Sequence, residues 1–394
     1  MSTVELANRA KILTPSKTLA IDSKAKGMKA EGIEVFNFGA GEPDFDTPDY
    51  IRNAAVEALN SGFTRYTPSS GIPELRQAIA DKLKKDNGID YKANQVIVNC
   101  GAKHSCFNAI MATINPGDEV IIPAPYWLSY PEMVKLAGGE PYMVQTKEEN
   151  GFKLTADELR ESISPASKMV ILNTPGNPTG AVYTRQELED IVEAALEDDL
   201  LILSDEIYEK LVYDDAQHFS VASFSKEAYE STITINGFSK SYAMTGWRLG
   251  YLAAPEAIAK SIDSIQSHST SNPTSFAQKG ALAALKDSAA SEEFINTMLV
   301  EFKKRRHYMF ERISAIDGLS VIKPMGAFYM LVNISQSGLK SAEFTERLLE
   351  EKKVAAVPGI AFGDDKYIRL SYATSMQIIS DGLEKLDEFC QSLK

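Results

Sequence analysis

Ser231-Thr232-Ile233-Thr234-Ile235-Asn236-Gly237-Phe238-Ser239-Lys240 is a β-branched apolar run that breaks at a glycine and delivers a lysine at its exit. The chain continues Ser241-Tyr242-Ala243-Met244-Thr245-Gly246-Trp247-Arg248, so an arginine follows eight residues after that lysine. An aldehyde needs an amine to form a Schiff base, and a phosphate needs a cation and hydroxyls. This segment offers all three within one strand-to-loop turn, the pattern of a lysine that holds a phosphorylated aldehyde cofactor.

Working outward, similar runs recur upstream: QVIVNC (95–100), DEVIIP (118–123), KMVILN (168–173) and LLILSD (200–205), all rich in Val and Ile and bounded by turn residues. Helical stretches alternate with them. TPDYIRNAAVEALNSG (47–62) starts at Pro48, and GIPELRQAIADKLKKDNG (71–88) closes on Gly88. Such alternation predicts an α/β domain with a largely parallel sheet covered on both faces. From about residue 290 the character changes. SEEFINTMLVEFKKRRHYMFERISAI (291–316) reads as one long amphipathic helix, followed by shorter strands around Gly326–Met330 and Tyr367–Leu370, which predicts a smaller α+β domain.

In open α/β sheets ligands gather at the carboxyl ends of the strands, so the residues just past each run matter most. After VIVNC come Gly101, Ala102 and Lys103 at a helix start, where exposed backbone N–H groups can cradle a phosphate. After KMVILN comes a rigid turn, TPGNPTG (174–180), presenting Asn177; after LLILS come Asp205 and Tyr208; after STITI comes Lys240. Taken singly, each has a plainer reading: Lys240 as a surface lysine, Asp205 as a helix cap, Asn177 as a turn residue, Trp127 as core, Arg369 as half of a surface ion pair and Tyr66 as a loop aromatic. The plainer readings do not account for the set.

Composition bounds the alternatives. The 394 residues, 44% hydrophobic, can bury a large core and favour two domains. A formal net charge of −13 argues against nucleic acid as a partner. The chain has no apolar run long enough to span a bilayer, and the N-terminal residues lack the apolar stretch of a secretory signal. Three cysteines (Cys100, Cys106, Cys390) make no disulfide framework, and a reducing cytoplasm is expected. None of the four histidines stands at ligand spacing from cysteine or carboxylate, so no metal site is expected. Gly39-Ala40-Gly41 lacks the later glycine of a dinucleotide turn, which makes a nicotinamide oxidoreductase remote.

These motifs resemble the fold-type I aminotransferases, and the resemblance covers nearly the whole chain. TPGNPTG, SDEIYEKLVYD (204–214) and SKSYAMTGWRLGY (239–251) carry it, together with FNFGAGEPDFDTP (36–48), YTPSSGIPELR (66–76), PAPYWLSYPEMV (123–134) and KYIRLSYAT (366–374). The subgroup most resembled is the bacterial aspartate aminotransferases, some of which also use prephenate. The resemblance implies a large domain over 48–290, a small one built from 1–47 with 291–394, and a homodimer with shared active sites. It implies pyridoxal 5'-phosphate as cofactor, and a ping-pong transfer of the amino group from L-aspartate to 2-oxoglutarate.

It also implies residue roles. Lys240 carries the cofactor and moves the proton, Asp205 faces the pyridine nitrogen, and Asn177 and Tyr208 meet the 3' oxygen. Trp127 stacks on the ring. Gly101, Ala102, Lys103, Ser239 and Arg248 hold the phosphate, joined by Tyr66 reaching into the neighbouring subunit's site. Arg369 takes the substrate α-carboxylate, with Gly41 and Asn177 nearby. Lys103, helped by Ser16 and Thr18, is the candidate selector for an acidic side chain, with the phosphate as its other possible charge partner. One departure stands out: where many members place a phosphate-binding serine three residues before the lysine, this chain has Gly237. A lyase on the same cofactor fold needs the same lysine, aspartate and arginine and is the second reading. A non-enzymatic regulator is third, and it would carry a basic DNA-binding domain ahead of this acidic chain.

Overall fold

A computed structural model describes residues 5–13 and 17–393 of the chain. Ser16 therefore lies outside the described residues, and of Thr18 only the backbone, in the helix Lys17–Ala30, is described.

Thirteen strands are present among the described residues: β1 Phe36–Asn37, β2 Val96–Asn99, β3 Glu119–Ala124, β4 Glu140–Gln145, β5 Ser167–Asn173, β6 Leu201–Asp205, β7 Thr232–Gly237, β8 Gly250–Ala253, β9 Ser320–Val321, β10 Tyr329–Asn333, β11 Val354–Ala355, β12 Val357–Pro358 and β13 Tyr367–Ser371. Seven form the main sheet in the order β2-β8-β7-β6-β5-β3-β4. All its pairings are parallel except the two made by β8, which runs antiparallel between β2 and β7. The central strands β5, β6 and β7 are buried nearly throughout, as a sheet covered on both faces requires. At the edge, β4 has only exposed and half-buried positions.

Helix boundaries follow the local chemistry. Pro48 is the N-cap of the helix Asp49–Asn60, where a missing N–H costs nothing. The helix Pro73–Asn87 ends on Gly88 at φ 71°, whose N–H returns to the Leu83 carbonyl. The long helix Ser288–Ser314 is capped by the Asp287 side chain, which accepts from the Ala290 N–H.

The second sheet is antiparallel, in the order β12-β13-β10-β9, and a two-stranded parallel pair joins β1 to β11. Arg369 sits mid-strand on β13, paired on one side with Leu331 of β10 and on the other with Val357 of β12. A side chain so placed has a backbone fixed from both flanks. No helix among the described residues is long and apolar enough to cross a membrane. Cys100, Cys106 and Cys390 form no disulfide.

Candidate active site

The carboxyl ends of β2, β3, β5, β6 and β7 face one edge of the main sheet. Because β8 is antiparallel, its first residue lies at that same edge, and Arg248 just before it joins them. Two glycines make this closeness possible. Gly250 pairs with Asn99 and Gly237, and a Cβ on it would stand 2.2 Å from the Ala102 nitrogen. A Cβ on Gly101, at φ 90°, would fall 2.5 Å from Arg248 Nη2. The result is a helix N-terminus, beginning at Ala102, with a guanidinium laid beside it and no side chain between. Arg248 is held there by the Thr245 carbonyl (2.7 Å) and the Cys100 carbonyl (3.4 Å).

These groups open onto a cavity of about 430 Å³, lined by Gly41, Ala102, Lys103, Trp127, Asn177, Asp205, Tyr208, Ser239, Lys240, Arg248 and Arg369 among others. Of the residues expected at the site, those eleven line one space, and Gly101 packs beneath it against Arg248. Tyr66 does not. It is 89% exposed and lies outside the cavity of its own chain.

Lys240 donates a hydrogen bond to the Gly41 carbonyl and sits over the faces of Tyr208 and Phe328, 5.6 Å from each ring centre. Loss of water around the ammonium draws its pKa down to about 8, Glu42 opposing and Arg369 and Arg248 reinforcing the shift. Asp205, at the end of β6, accepts from the Tyr130 hydroxyl (2.6 Å) and the Ile207 N–H (3.2 Å). Burial raises its pKa to about 6, with those two hydrogen bonds pulling the other way. Lys103 lies 5.0 Å from the centre of the Trp127 ring, and both desolvation and the Arg248 charge lower its pKa.

Arg369 is buried, and burial lowers its pKa from the usual arginine value. Its Nη1 donates to Asn177 Oδ1 (3.1 Å) and its Nη2 to the Gly39 carbonyl (3.0 Å), while the guanidinium lies 4.3 Å from the centre of the Tyr329 ring. The turn bearing Asn177 is itself fixed, since the Asn177 N–H donates to Asn173 Oδ1 (2.9 Å) and Gly176 and Ala181 share a backbone bond (2.9 Å).

Residues 33–386 match the family model "Aminotransferase class I and II". The chain belongs to this aminotransferase family. The aminotransferase is 50% identical to an aspartate aminotransferase of Bacillus sp. (strain YM-2) over 389 residues, 98% of each chain. It is 48% identical to a probable aspartate/prephenate aminotransferase of Aquifex aeolicus over 98% of this chain and 99% of that one. Among solved structures, an aspartate aminotransferase from Thermus thermophilus with maleate superposes at a TM-score of 0.95 and 41% identity, covering 98% of this chain and all of the other. The fold of the aminotransferase is thus the fold-type I arrangement, a mostly parallel large sheet flanked by helices with a smaller antiparallel sheet beside it.

Sequence reasoning missed several site residues of the aminotransferase. Tyr130, which holds Asp205, follows Trp127 by three residues on the entry to the helix Ser129–Ala137, and its position was legible only as part of the PYWLSYPEM motif. Tyr329, whose hydroxyl lies 2.9 Å from that of Tyr208, sits in a segment recognised only as a strand. Glu42 faces the same cavity and accepts from Thr245 Oγ1 (2.7 Å). Away from the cavity, Glu206, Glu209 and His218 bring ligand-type atoms within 4.8 Å of one another, a gathering that histidine spacing did not reveal. Lys82 pairs with Glu209 there, and Ser204 and Ser220 donate hydrogen bonds to Glu206.

The missing serine at Gly237 also has a structural reason. A Cβ there would stand 2.9 Å from the Gly250 Cα and 3.3 Å from the Leu249 carbonyl, so β8 occupies the space a serine needs.

Proposed function

We propose that this chain is an aspartate aminotransferase, moving the amino group of L-aspartate to 2-oxoglutarate by a ping-pong reaction on pyridoxal 5'-phosphate. The observation that carries this is the placement of three groups around one cavity: a water-poor lysine, a buried carboxylate at a strand end, and an arginine pinned by Asn177 and Gly39. The residues fit the cofactor. The glycine-lined helix start at Ala102 with Arg248 beside it suits a phosphate, and Asp205 suits a ring nitrogen that must stay protonated. When bound, the cofactor supplies an electron sink for the substrate's Cα.

The chain's own groups do the rest. Lys240, with its pKa near 8, has an appreciable neutral fraction at physiological pH, so its Nζ can take a proton and return it. Asp205 keeps a negative charge where a protonated ring nitrogen would lie, and Tyr130 holds that carboxylate in place. Tyr208 and Asn177 present a hydroxyl and an amide toward the same space, Trp127 a ring face, and Ser239 with the Ala102 and Lys103 N–H groups complete the phosphate cradle. Arg369 presents a planar fork suited to an α-carboxylate. Lys103 lines the same cavity and is the cation assigned here to a second carboxylate. Ser16 and Thr18 were expected to assist it, and neither side chain is among those described.

The relatives support this substrate class: those at 47–50% identity include aspartate aminotransferases of Bacillus sp. (strain YM-2), Bacillus subtilis and Geobacillus stearothermophilus, and the Thermus enzyme was solved with maleate, a dicarboxylate. The Aquifex relative favours prephenate, itself a dicarboxylate, as a second substrate. Three further parts belong to the same reading: a homodimer in which the exposed Tyr66 completes the partner's site, a large domain of 48–290 beside a small one of 1–47 with 291–394, and a cytoplasmic location.

The test is to incubate the purified protein with pyridoxal phosphate, L-aspartate and 2-oxoglutarate and to measure oxaloacetate and glutamate. Formation of both supports the reading, with prephenate as an alternative acceptor in a parallel assay. Ammonia and pyruvate in their place would point to a lyase.

A further inference from the structure

Tyr329 opens β10 and is fully buried, yet no motif assigned it a task. The strand register explains where it points. Tyr329 pairs with Ser371 and Leu331 with Arg369, so Tyr329 and Arg369 are diagonal neighbours on one face of the small sheet. Its ring lies under the Arg369 guanidinium, 4.3 Å from centre to cation. Its hydroxyl reaches across to the Tyr208 hydroxyl at 2.9 Å, and the Gly41 backbone passes close by, near enough that a Cβ there would be 3.5 Å from the same oxygen. The two phenol rings cross nearly edge-on, 5.9 Å apart at 84°. One side chain thus touches a group from the main sheet, a group from the small sheet and the segment following β1.

We propose that Tyr329 is a positioning residue that works through two different parts of its side chain: its ring holds the Arg369 guanidinium flat for a carboxylate, and its hydroxyl fixes the direction of the Tyr208 hydroxyl. This rests on the aminotransferase reading and deepens it. The physical basis is separable. An arginine stacked on an aromatic face is held in one plane, at a strength of about 0.5–2 kcal/mol. Either hydroxyl can donate in this pair, and in both arrangements the bond fixes the torsion of the Tyr208 hydroxyl; where Tyr329 donates, Tyr208 keeps its own proton for the cavity. Among the described residues, Tyr329 is the hydroxyl partner of Tyr208, so removing it leaves a buried phenol without that bond. Arg369 keeps its two hydrogen bonds to Asn177 and Gly39 either way.

Two variants separate the parts. Tyr329→Phe keeps the ring and removes the hydroxyl; Tyr329→Leu removes both. Each is prepared as the cofactor-loaded enzyme beside wild type. Two quantities are measured: the dissociation constant of maleate by calorimetry, and the pH midpoint of the bound cofactor's visible absorbance. The expected result for Tyr329→Phe is maleate affinity within about twofold of wild type, with the absorbance midpoint moved alkaline by about 0.4–1 pH unit, because a less firmly aimed Tyr208 stabilises the deprotonated form less. Tyr329→Leu should show the same midpoint shift and also bind maleate about 3- to 30-fold more weakly. A purely structural role would move stability but neither quantity in this split pattern. Equal maleate affinity in wild type and Tyr329→Leu, or a wild-type midpoint in Tyr329→Phe, overturns the proposal while leaving the parent reading intact. A wild-type protein with no visible cofactor band overturns both.

Discussion

An ammonium surrounded by ring faces loses hydration that one carbonyl cannot replace, and Lys240 is in that position. Its folded pKa, near 8, is below the ordinary lysine value of 10.5, so the cofactor-free protein carries a penalty whenever this group is charged. The sign follows: the penalty is complete below pH 8 and fades as pH rises from 8 toward 10.5, where the unfolded chain also loses the proton. Cofactor-free Lys240→Met should therefore unfold at higher temperature than wild type at pH 7, by an amount on the order of a few kcal/mol at most, and the gain should shrink by pH 10. Thermal denaturation across that pH range checks it; a constant gain would mean that packing, not charge, is responsible. The same variant should lose turnover by ~10²–10⁴ at least, since it lacks the group that moves the proton. Borohydride reduction of the wild-type holoenzyme should fix the cofactor to Lys240, as peptide mapping would show. Lys103 allows a second test at this scale. Lys103→Met should raise the KM for aspartate and glutamate by about tenfold or more, and that for alanine or phenylalanine much less, because only the first two have a distal carboxylate to lose. Equal losses for all four would assign Lys103 to the phosphate instead.

At the scale of elements, the placement of β8 decides most of the site. It brings Arg248 to the edge where the parallel strands end, and it does so because its first residue, Gly250, passes β7 and the start of the helix Ala102–Thr113 without a side chain. Gly250→Ala should accordingly cost roughly 1–3 kcal/mol or more of stability, and it should weaken cofactor binding by pushing β8 off Ala102. Gly237→Ser, which would supply the hydroxyl seen in many members of the family, should destabilise rather than tighten phosphate binding. Denaturant titration of the apo forms and cofactor titration of each variant measure both effects; a Gly237→Ser protein that is stable and binds the cofactor more tightly would contradict the packing argument. This strand was also the least legible part of the sheet. The five runs that read as strands from sequence were Val- and Ile-rich and bounded by turns, and all five are strands. β8 is only four residues long, and β4 at the sheet edge carries Pro141 and exposed positions, so neither offered that signal. The site was legible where chemistry lies in a local motif, as at Asn177, Asp205, Lys240 and Arg248. It was not legible where a role depends on what arrives from elsewhere in the fold: Tyr130 and Tyr329 have no distinguishing spacing, and only the meeting with Asp205, Tyr208 and Arg369 gives them one.

At the scale of the whole molecule, the exposure of Tyr66 is the feature that asks for a second subunit. A tyrosine 89% open to solvent on a loop of an otherwise well-packed chain buries little in the monomer. If it serves the opposite site, Lys240→Ala and Tyr66→Ala homodimers are both impaired, yet a mixed dimer contains one site with Lys240 and Tyr66 both intact. Co-refolding the two variants should restore transamination above either parent, after Tyr66→Ala alone has been shown to be slow. Mixed dimers that form and give no gain would place Tyr66 outside the neighbouring site.

The pairing of β1 with β11 has a temporal meaning. Phe36 finds its partner only in Val354, and Arg369 follows later still. During synthesis the amino-terminal strand must wait on the ribosome's surface until almost the entire polypeptide has emerged, while the main sheet, whose last strand ends at Ala253, can assemble well before. The order of translation thus leaves Arg369 as the last of the cavity's groups to arrive, after the helix start at Ala102 and Arg248 are already in place. On the proposed reading, the groups assigned to the cofactor would be assembled in a nascent chain before the one assigned to the substrate.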